Sequence, residues 1–386
     1  IRAYALKNAV EHEGKAVPGS VIAGLFNHGL KKEGVKEVMP KINEVLNEIN
    51  DLDLEEQKVL FEKYKNIISK RPEREGLPEL PDVKSGVISR MSPSPSGPLH
   101  IGHILTILPN FLYTLKYGGE FYVRIEDTNP ENIYEPAYKM IKEESKWITK
   151  GKVKFVIQSR RMEVYYDYAK KMIEKGKAYV CECDLEEFRG LLLKKKACPC
   201  RDLEGKGQLK RWEKMLDKKG YQKGEAVLRF KSDLNHPNPA MRDFPLARVN
   251  EARHPLQKNK YRVWPLMNLA VAVDDMTQGM THIIRGKDHK DNAKRQEMIF
   301  SVFNKKYPWN AYIGRLHLKD MELSSSKIKK AIDEGVFSGW DDEELLTAQT
   351  LMKKYPPEVF SRIIELKKEL PQRNAPTVWK MLKKSF

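Results

Sequence analysis

Apolar residues recur along this chain with two different periods. From residue 1 to about 70 they repeat as on a helix: Val35, Val38, Ile42, Leu46 and Ile49 lie three or four apart, and Leu60, Tyr64, Ile67 and Ile68 share one face. Asp53 followed by Glu56 has the form of a capping box, so a helix is expected to start there. These features predict a small helical bundle without chemistry of its own. Pro72, Pro78 and Pro81 then break the pattern and read as a linker.

From about residue 84 short apolar runs alternate with helical ones. Gly86–Met91, Glu120–Ile125 and 153–158 suit buried strands, whereas 101–117, 136–148 and 162–176 are helical. The alternation resumes with a strand at Thr281–Ile284, a helix over 291–303 and a strand over 311–317. Strands alternating with helices predict a parallel α/β sheet. Residues 181–257 interrupt the alternation and read as an insertion. The expected divisions are therefore 1–82, a helical domain and linker; 83–180 and 258–316, two halves of an α/β domain; 181–257, the insertion; and 317–386, a helical region.

Charge narrows the partner. The net charge is +17 with a pI of about 9.4. Such an excess either keeps a lysine-rich surface solvated or favours a phosphate backbone through counterion release, and it does not separate RNA from DNA. No apolar run reaches the roughly 18 residues a membrane-crossing helix needs. The first residue is Ile1 and no signal-like start follows it, so a piece of a longer cytoplasmic protein is expected.

Two clusters carry candidate chemistry. Ser92-Pro-Ser-Pro-Ser-Gly-Pro-Leu-His-Ile-Gly-His103 lies between an expected strand and an expected helix, where doubly wound sheets bind ligands. Free N–H groups at a helix start suit phosphate. Gly97 and Gly102 permit close backbone approach, and His100 and His103 can both address one anion. The plainer alternative is two ordinary polar side chains. The four cysteines all fall between Cys181 and Cys200. Cys181, Cys183, Cys198 and Cys200 can close a tetrahedral Zn2+ site, the alternative being four reduced thiols on buried turns. Arg201, Lys206, Lys210 and Arg211 follow them and are weak candidates for nucleic-acid contact.

His100-Ile-Gly-His103 matches the four-residue motif of class I aminoacyl-tRNA synthetases, and Arg90-Met-Ser-Pro-Ser-Pro-Ser-Gly-Pro-Leu99 resembles its glutamyl/glutaminyl version. Arg124-Ile-Glu-Asp-Thr-Asn-Pro130, Tyr261-Arg-Val-Trp-Pro265, Val273-Asp-Asp275, Arg285-Gly-Lys-Asp-His289 and Gly339-Trp-Asp-Asp342 continue the resemblance in order, over about residues 84–345. The N-terminal helices are similar to those of archaeal glutamyl-tRNA synthetases.

The resemblance implies a Rossmann-like parallel sheet with an inserted acceptor-binding domain. It implies ATP-dependent ligation of L-glutamate to tRNA(Glu) through glutamyl-adenylate, with tRNA(Gln) open as a second acceptor. It places His100, Gly102, His103, Ser324, Ser326 and Lys327 at ATP with Mg2+. Arg90, Ser92, Ser94, Glu126 and Arg285 fall at the amino acid, and structural Zn2+ falls on the cysteines. Archaeal relatives also dock a tRNA-dependent amidotransferase on the helical part, and relatives carry a β-rich anticodon-binding domain that this chain does not evidently contain. Three departures stand out: Glu322 and Ser325 occupy lysine positions of the mobile loop, and Met267-Asn268 replaces a usual Tyr-Asp. A glutaminyl enzyme, a small nucleotidyltransferase of the same superfamily and a non-catalytic tRNA-binding scaffold are the competing readings.

Overall fold

A computed structural model describes residues 1–31, 33–68, 77–314 and 324–355. Pro72, Glu322, residues 315–317 of the expected strand and most of the expected 317–386 region lie outside the described residues. The chain divides into two compact units, Ile1–Arg74 and Glu75–Phe386.

The first unit is the expected helical bundle: α1 (Arg2–Glu11), α2 (Pro18–Phe26), α3 (Val35–Asn50) and α4 (Leu54–Tyr64). Leu6, Val21, Ile42, Leu46 and Ile49 form its core. Asp53 accepts from the Glu55 and Glu56 N–H groups at 2.9 and 2.8 Å, and Glu56 accepts in return from the Asp53 N–H at 3.1 Å. Ile67 corrects the sequence expectation. The helix ends at Tyr64 and a tighter turn over Lys65–Ile67 rotates Ile67 out to solvent, while Leu60, Tyr64 and Ile68 stay packed.

The second unit is built on parallel strands. In chain order come β1 (Val87–Met91), α5 (Ile101–Tyr117), β2 (Gly119–Ile125), α6 (Ala137–Thr149), β3 (Lys154–Ile157) and α7 (Met162–Glu174). Then follow β4 (Ala178–Cys181), α8 (Leu185–Leu193), α9 (Gly205–Leu216), β5 (Val227–Phe230), β6 (Pro245–Val249) and β7 (Val263–Pro265). The chain continues with α10 (Met267–Thr277), β8 (His282–Gly286), α11 (Lys290–Val302), β9 (Trp309–Ile313), α12 (Ser325–Asp333) and α13 (Ala348–Lys354).

β1, β2 and β3 pair in parallel, as do β8 and β9. The last strand starts two residues earlier than expected, because Trp309 pairs opposite His282 and its N–H donates to Thr281. The winding runs from β1 outward to β3 on one side and from β8 to β9 on the other. The order therefore reverses between β1 and β8, which is the ligand-binding crevice of doubly wound sheets. At one end of that seam Thr281 N–H donates to Ile88 O at 2.9 Å. At the other, the Asn110 amide of α5 fills the gap: it donates to Ile284 O at 2.8 Å and accepts from Ile284 N–H at 3.0 Å and from the Ser89 hydroxyl at 2.5 Å.

The insertion carries its own antiparallel sheet in the order β4-β5-β6-β7. Its outer strands reach from Ala178 to Pro265, beyond the expected 181–257 on both sides. Val180, Leu228, Leu246 and Val263 pack with Tyr165 of α7 and Leu269 of α10 into one core, so the insertion is anchored to the α/β layer by apolar burial.

Candidate active site

The loop after β1 delivers His100 to the start of α5 as its N-cap. His100 Nδ1 accepts from the Gly102 N–H at 3.1 Å, and His103 Nδ1 accepts from the His100 N–H at 3.2 Å. Each imidazole thus spends Nδ1 as an acceptor, which puts its proton on Nε2. The two rings stack with centroids 3.8 Å apart and an interplanar angle of 25°. Burial pushes His100 down to about 4, and burial together with its neighbour pushes His103 well below the ordinary histidine range. At neutral pH the pair is therefore uncharged, and each ring keeps an Nε2–H to donate at the start of α5. Gly102 is required here, since a Cβ would lie 2.9 Å from the His100 ring.

This turn is clamped from behind. The Glu144 carboxylate of α6 accepts from Leu99 N–H at 2.7 Å and from the Gln349 amide of α13. Ile101 N–H donates to Leu346 O at 2.9 Å and Ala348 N–H to Leu99 O at 2.7 Å. Burial raises Glu144 to about 7. The second sequence segment docks on the same loop: a Cβ at Gly97 would lie 2.9 Å from the Trp340 ring and 3.1 Å from Ser325. Ser324 caps α12, its hydroxyl 3.0 Å from that of Ser326, and Ser326 and Lys327 lie exposed on the first turn.

Beside this cradle the structure gathers Arg90, Glu126 and Arg285, with two residues that had no assigned role. Arg90 forks onto Asp275 at 2.9 and 2.8 Å, and Arg124 donates to the same carboxylate at 2.6 Å. Burial opposes ionisation of Asp275, but Arg90 and Arg124 hold it well below the usual carboxylate range. Arg285 is treated differently. Its Nη1 donates to Gln296 Oε1 at 2.9 Å, and it makes no ion pair among the described residues. Glu126 is half-buried and raised to about 7, burial outweighing the three arginines. The Ser92 hydroxyl is buried without a hydrogen-bond partner among the described residues, whereas Ser94 is exposed. The Asp274-Asp275 pair in the apolar run of α10 was the available signal for this network. Gln296 and Glu144 sit in charged stretches and carried none.

The cysteines converge as expected. All four sulfurs lie within 4.8 Å of one another, with Cys181 and Cys198 3.9 Å apart and Cys183 and Cys200 3.7 Å apart. A tetrahedral zinc with Zn–S bonds of about 2.3 Å needs sulfur separations of about 3.8 Å. Arg229 lies across the Phe188 ring at 3.5 Å, buried, with Nε lacking a hydrogen-bond partner among the described residues. A tetrathiolate would supply the counter-charge such a group calls for. Arg201 pairs with Asp243 at 2.8 Å and Arg211 with Glu182 at 2.8 Å, so both also tie the insertion together. Lys206 and Lys210 are exposed.

Fold and site together define a doubly wound α/β class of protein with two neutral imidazoles on the helix start beside its switch point. The family profile described as class I tRNA synthetases (E and Q), catalytic domain, matches residues 86–383. A glutamate–tRNA ligase of Thermococcus kodakarensis is 44% identical over 373 residues, covering 94% of this chain and 65% of its own length. One from Methanobrevibacter smithii is 40% identical over 368 residues, covering 94% of this chain and 66% of its own. The chain thus spans slightly less than two thirds of these relatives. A crystal structure of a glutamate tRNA ligase from Elizabethkingia meningosepticum shares the fold with a TM-score of 0.51 at 20% identity, over 77% of this chain and 64% of that one. The chain belongs to the class I glutamyl and glutaminyl tRNA synthetase family.

Proposed function

We propose that this chain carries the ATP-dependent ligation of L-glutamate to tRNA(Glu). The observation that carries this reading is the pairing of two neutral, stacked imidazoles at a helix start with a buried arginine whose side-chain hydrogen bond goes to an uncharged amide rather than to a carboxylate. The first group suits phosphate and the second a carboxylate.

In the first step a glutamate α-carboxylate oxygen attacks the α-phosphorus of ATP and pyrophosphate leaves, giving glutamyl-adenylate. His100 and His103 donate Nε2–H bonds to phosphate oxygens as charge builds, and being neutral they exchange no proton. Ser324, Ser326 and Lys327 approach the departing phosphates, and Mg2+ bound with ATP neutralises part of their charge. Arg285 takes the side-chain carboxylate. An incoming α-ammonium group restores ionisation to Glu126, whose proton is held chiefly by burial. In the second step a terminal ribose hydroxyl of tRNA attacks the acyl carbon and AMP leaves. Ordering the reactants accounts for the remaining acceleration.

Cys181, Cys183, Cys198 and Cys200 would hold a structural zinc that fixes the insertion, with Lys206 and Lys210 offering charge to the tRNA backbone. Cys181→Ser should release about one equivalent of zinc and lower stability by several kcal/mol; a wild-type protein purified without metal refutes the site. We place the reaction in the cytoplasm. tRNA(Gln) as a second acceptor and an amidotransferase docked on the helical unit extend the same reading.

Charging of tRNA(Glu) and tRNA(Gln) transcripts with labelled glutamate and glutamine tests it. Glutamate should be attached and glutamine should not. Tight tRNA binding without aminoacylation would favour the scaffold.

A further inference from the structure

The pocket contains two kinds of buried guanidinium. Arg90 and Arg124 pair with carboxylates, both with Asp275 and Arg124 also with Asp274, as buried cations normally do. Arg285 is 6% exposed, and its hydrogen bond goes to an uncharged amide. Gln296 Oε1 accepts from Arg285 Nη1 at 2.9 Å and from the Tyr307 hydroxyl at 2.9 Å. Its Nε2 turns toward Asn268 Oδ1 at 3.5 Å. Two donors on one oxygen fix which way the amide faces. Gln296 is itself 1% exposed, on α11, so it cannot turn aside into water.

We infer that Gln296 and Tyr307 form a neutral clamp that sets the charge selectivity of the amino-acid pocket. The clamp aims Arg285 without cancelling its charge. An acidic residue at 296 would hold the guanidinium as firmly and leave the pocket neutral, favouring an uncharged amide side chain over a carboxylate. An amide oxygen with both lone pairs occupied adds no counter-charge, so Arg285 keeps more of its positive charge for the ligand than a carboxylate at 296 would leave it, although Asp275 and Glu126 act on it from nearby. Tyr307 completes the clamp by occupying the second lone pair, so the oxygen cannot swing away from Arg285. Both are positioning residues, acting on the substrate through Arg285. The inference rests on the glutamate-ligase reading given above.

The test is adenylate formation by the full chain with tRNA present, measured for glutamate and glutamine, with ATP KM and melting temperature followed in parallel. Gln296→Glu should raise the glutamate KM about 30-fold or more, because a buried ion pair now competes with the substrate. The glutamine KM and the ATP KM should stay within about threefold, so the glutamate-to-glutamine preference falls by at least about tenfold. Tyr307→Phe, a smaller change that keeps the ring, should lower the same preference about threefold. Equal losses for both amino acids in a folded Gln296→Glu protein overturn the clamp. If Gln296→Glu does not fold, an unchanged preference in Tyr307→Phe overturns it instead. Wild-type protein that activates glutamine as well as glutamate overturns the clamp alone, and wild-type protein that activates neither overturns the ligase reading with it.

Discussion

At the start of α5, His100, Gly102 and His103 build the proposed phosphate cradle within four consecutive residues. The neighbouring pocket takes Arg90 from β1, Glu126 from the end of β2, Asp275 from α10, Arg285 from β8 and Gln296 from α11. The two imidazoles are set by local bonds to each other's turn, although the turn itself is tied to α6 and to the start of α13. The pocket shares its arginines with a buried ion network, so its chemistry and the stability of the unit are coupled. Damage to the first should cost rate, and damage to the second should cost fold.

The sharpest break of that contrast is Asp275→Asn. It leaves Arg90 buried with a neutral partner and Arg124 with Asp274 alone, and should destabilise the second unit by about 3–5 kcal/mol in urea unfolding. A loss below about 1 kcal/mol would mean the network is not structural. On the other side, His103→Ala should slow adenylate formation about 100-fold, a barrier change of about 2.7 kcal/mol, while unfolding free energy and tRNA affinity barely move. Equal losses in rate and tRNA affinity would join the two regions and defeat the comparison.

The smallest effect concerns the clamp behind the cradle. Glu144 is raised to about 7 in the folded state by burial. The folded protein therefore binds more protons than the unfolded chain between about pH 4.5 and 7. Its contribution to stability is present below that window and is lost as pH rises through it, at no more than about 1.4 kcal/mol per pH unit. Glu126 titrates in the same direction and adds to the slope. Glu144→Gln should flatten the pH dependence of unfolding in that range; an unaltered slope would show that Glu144 is ionised in the fold.

The parallel sheet was legible because its strands are short apolar runs, and the Asp53 cap because its partners are three residues apart. The cradle was legible for the same reason: all its groups are contiguous. Ile67 was misread because a tight turn changes the period just before it. β4 and β7 escaped the insertion boundaries because four and three residues are too short to show alternation. Glu144 stands in Lys-Glu-Glu-Ser and Gln296 in Lys-Arg-Gln-Glu, which read as solvated faces. Nothing local distinguishes them; only the packing of α6 against α13, and of α11 beside β8, takes them out of water. Arg201 and Arg211 show the converse, charge whose ion-pair partners, Asp243 and Glu182, are remote in sequence and could not be read from it.

The account is tested most directly by a crystal structure of the chain with a non-hydrolysable glutamyl-adenylate analogue. The analogue's phosphate surrogate should lie within hydrogen-bond reach of His100 Nε2 and His103 Nε2, and its side-chain carboxylate should meet Arg285 with Gln296 still in place behind it. An analogue bound elsewhere, or seated there with both imidazoles turned away and Arg285 unengaged, would contradict it.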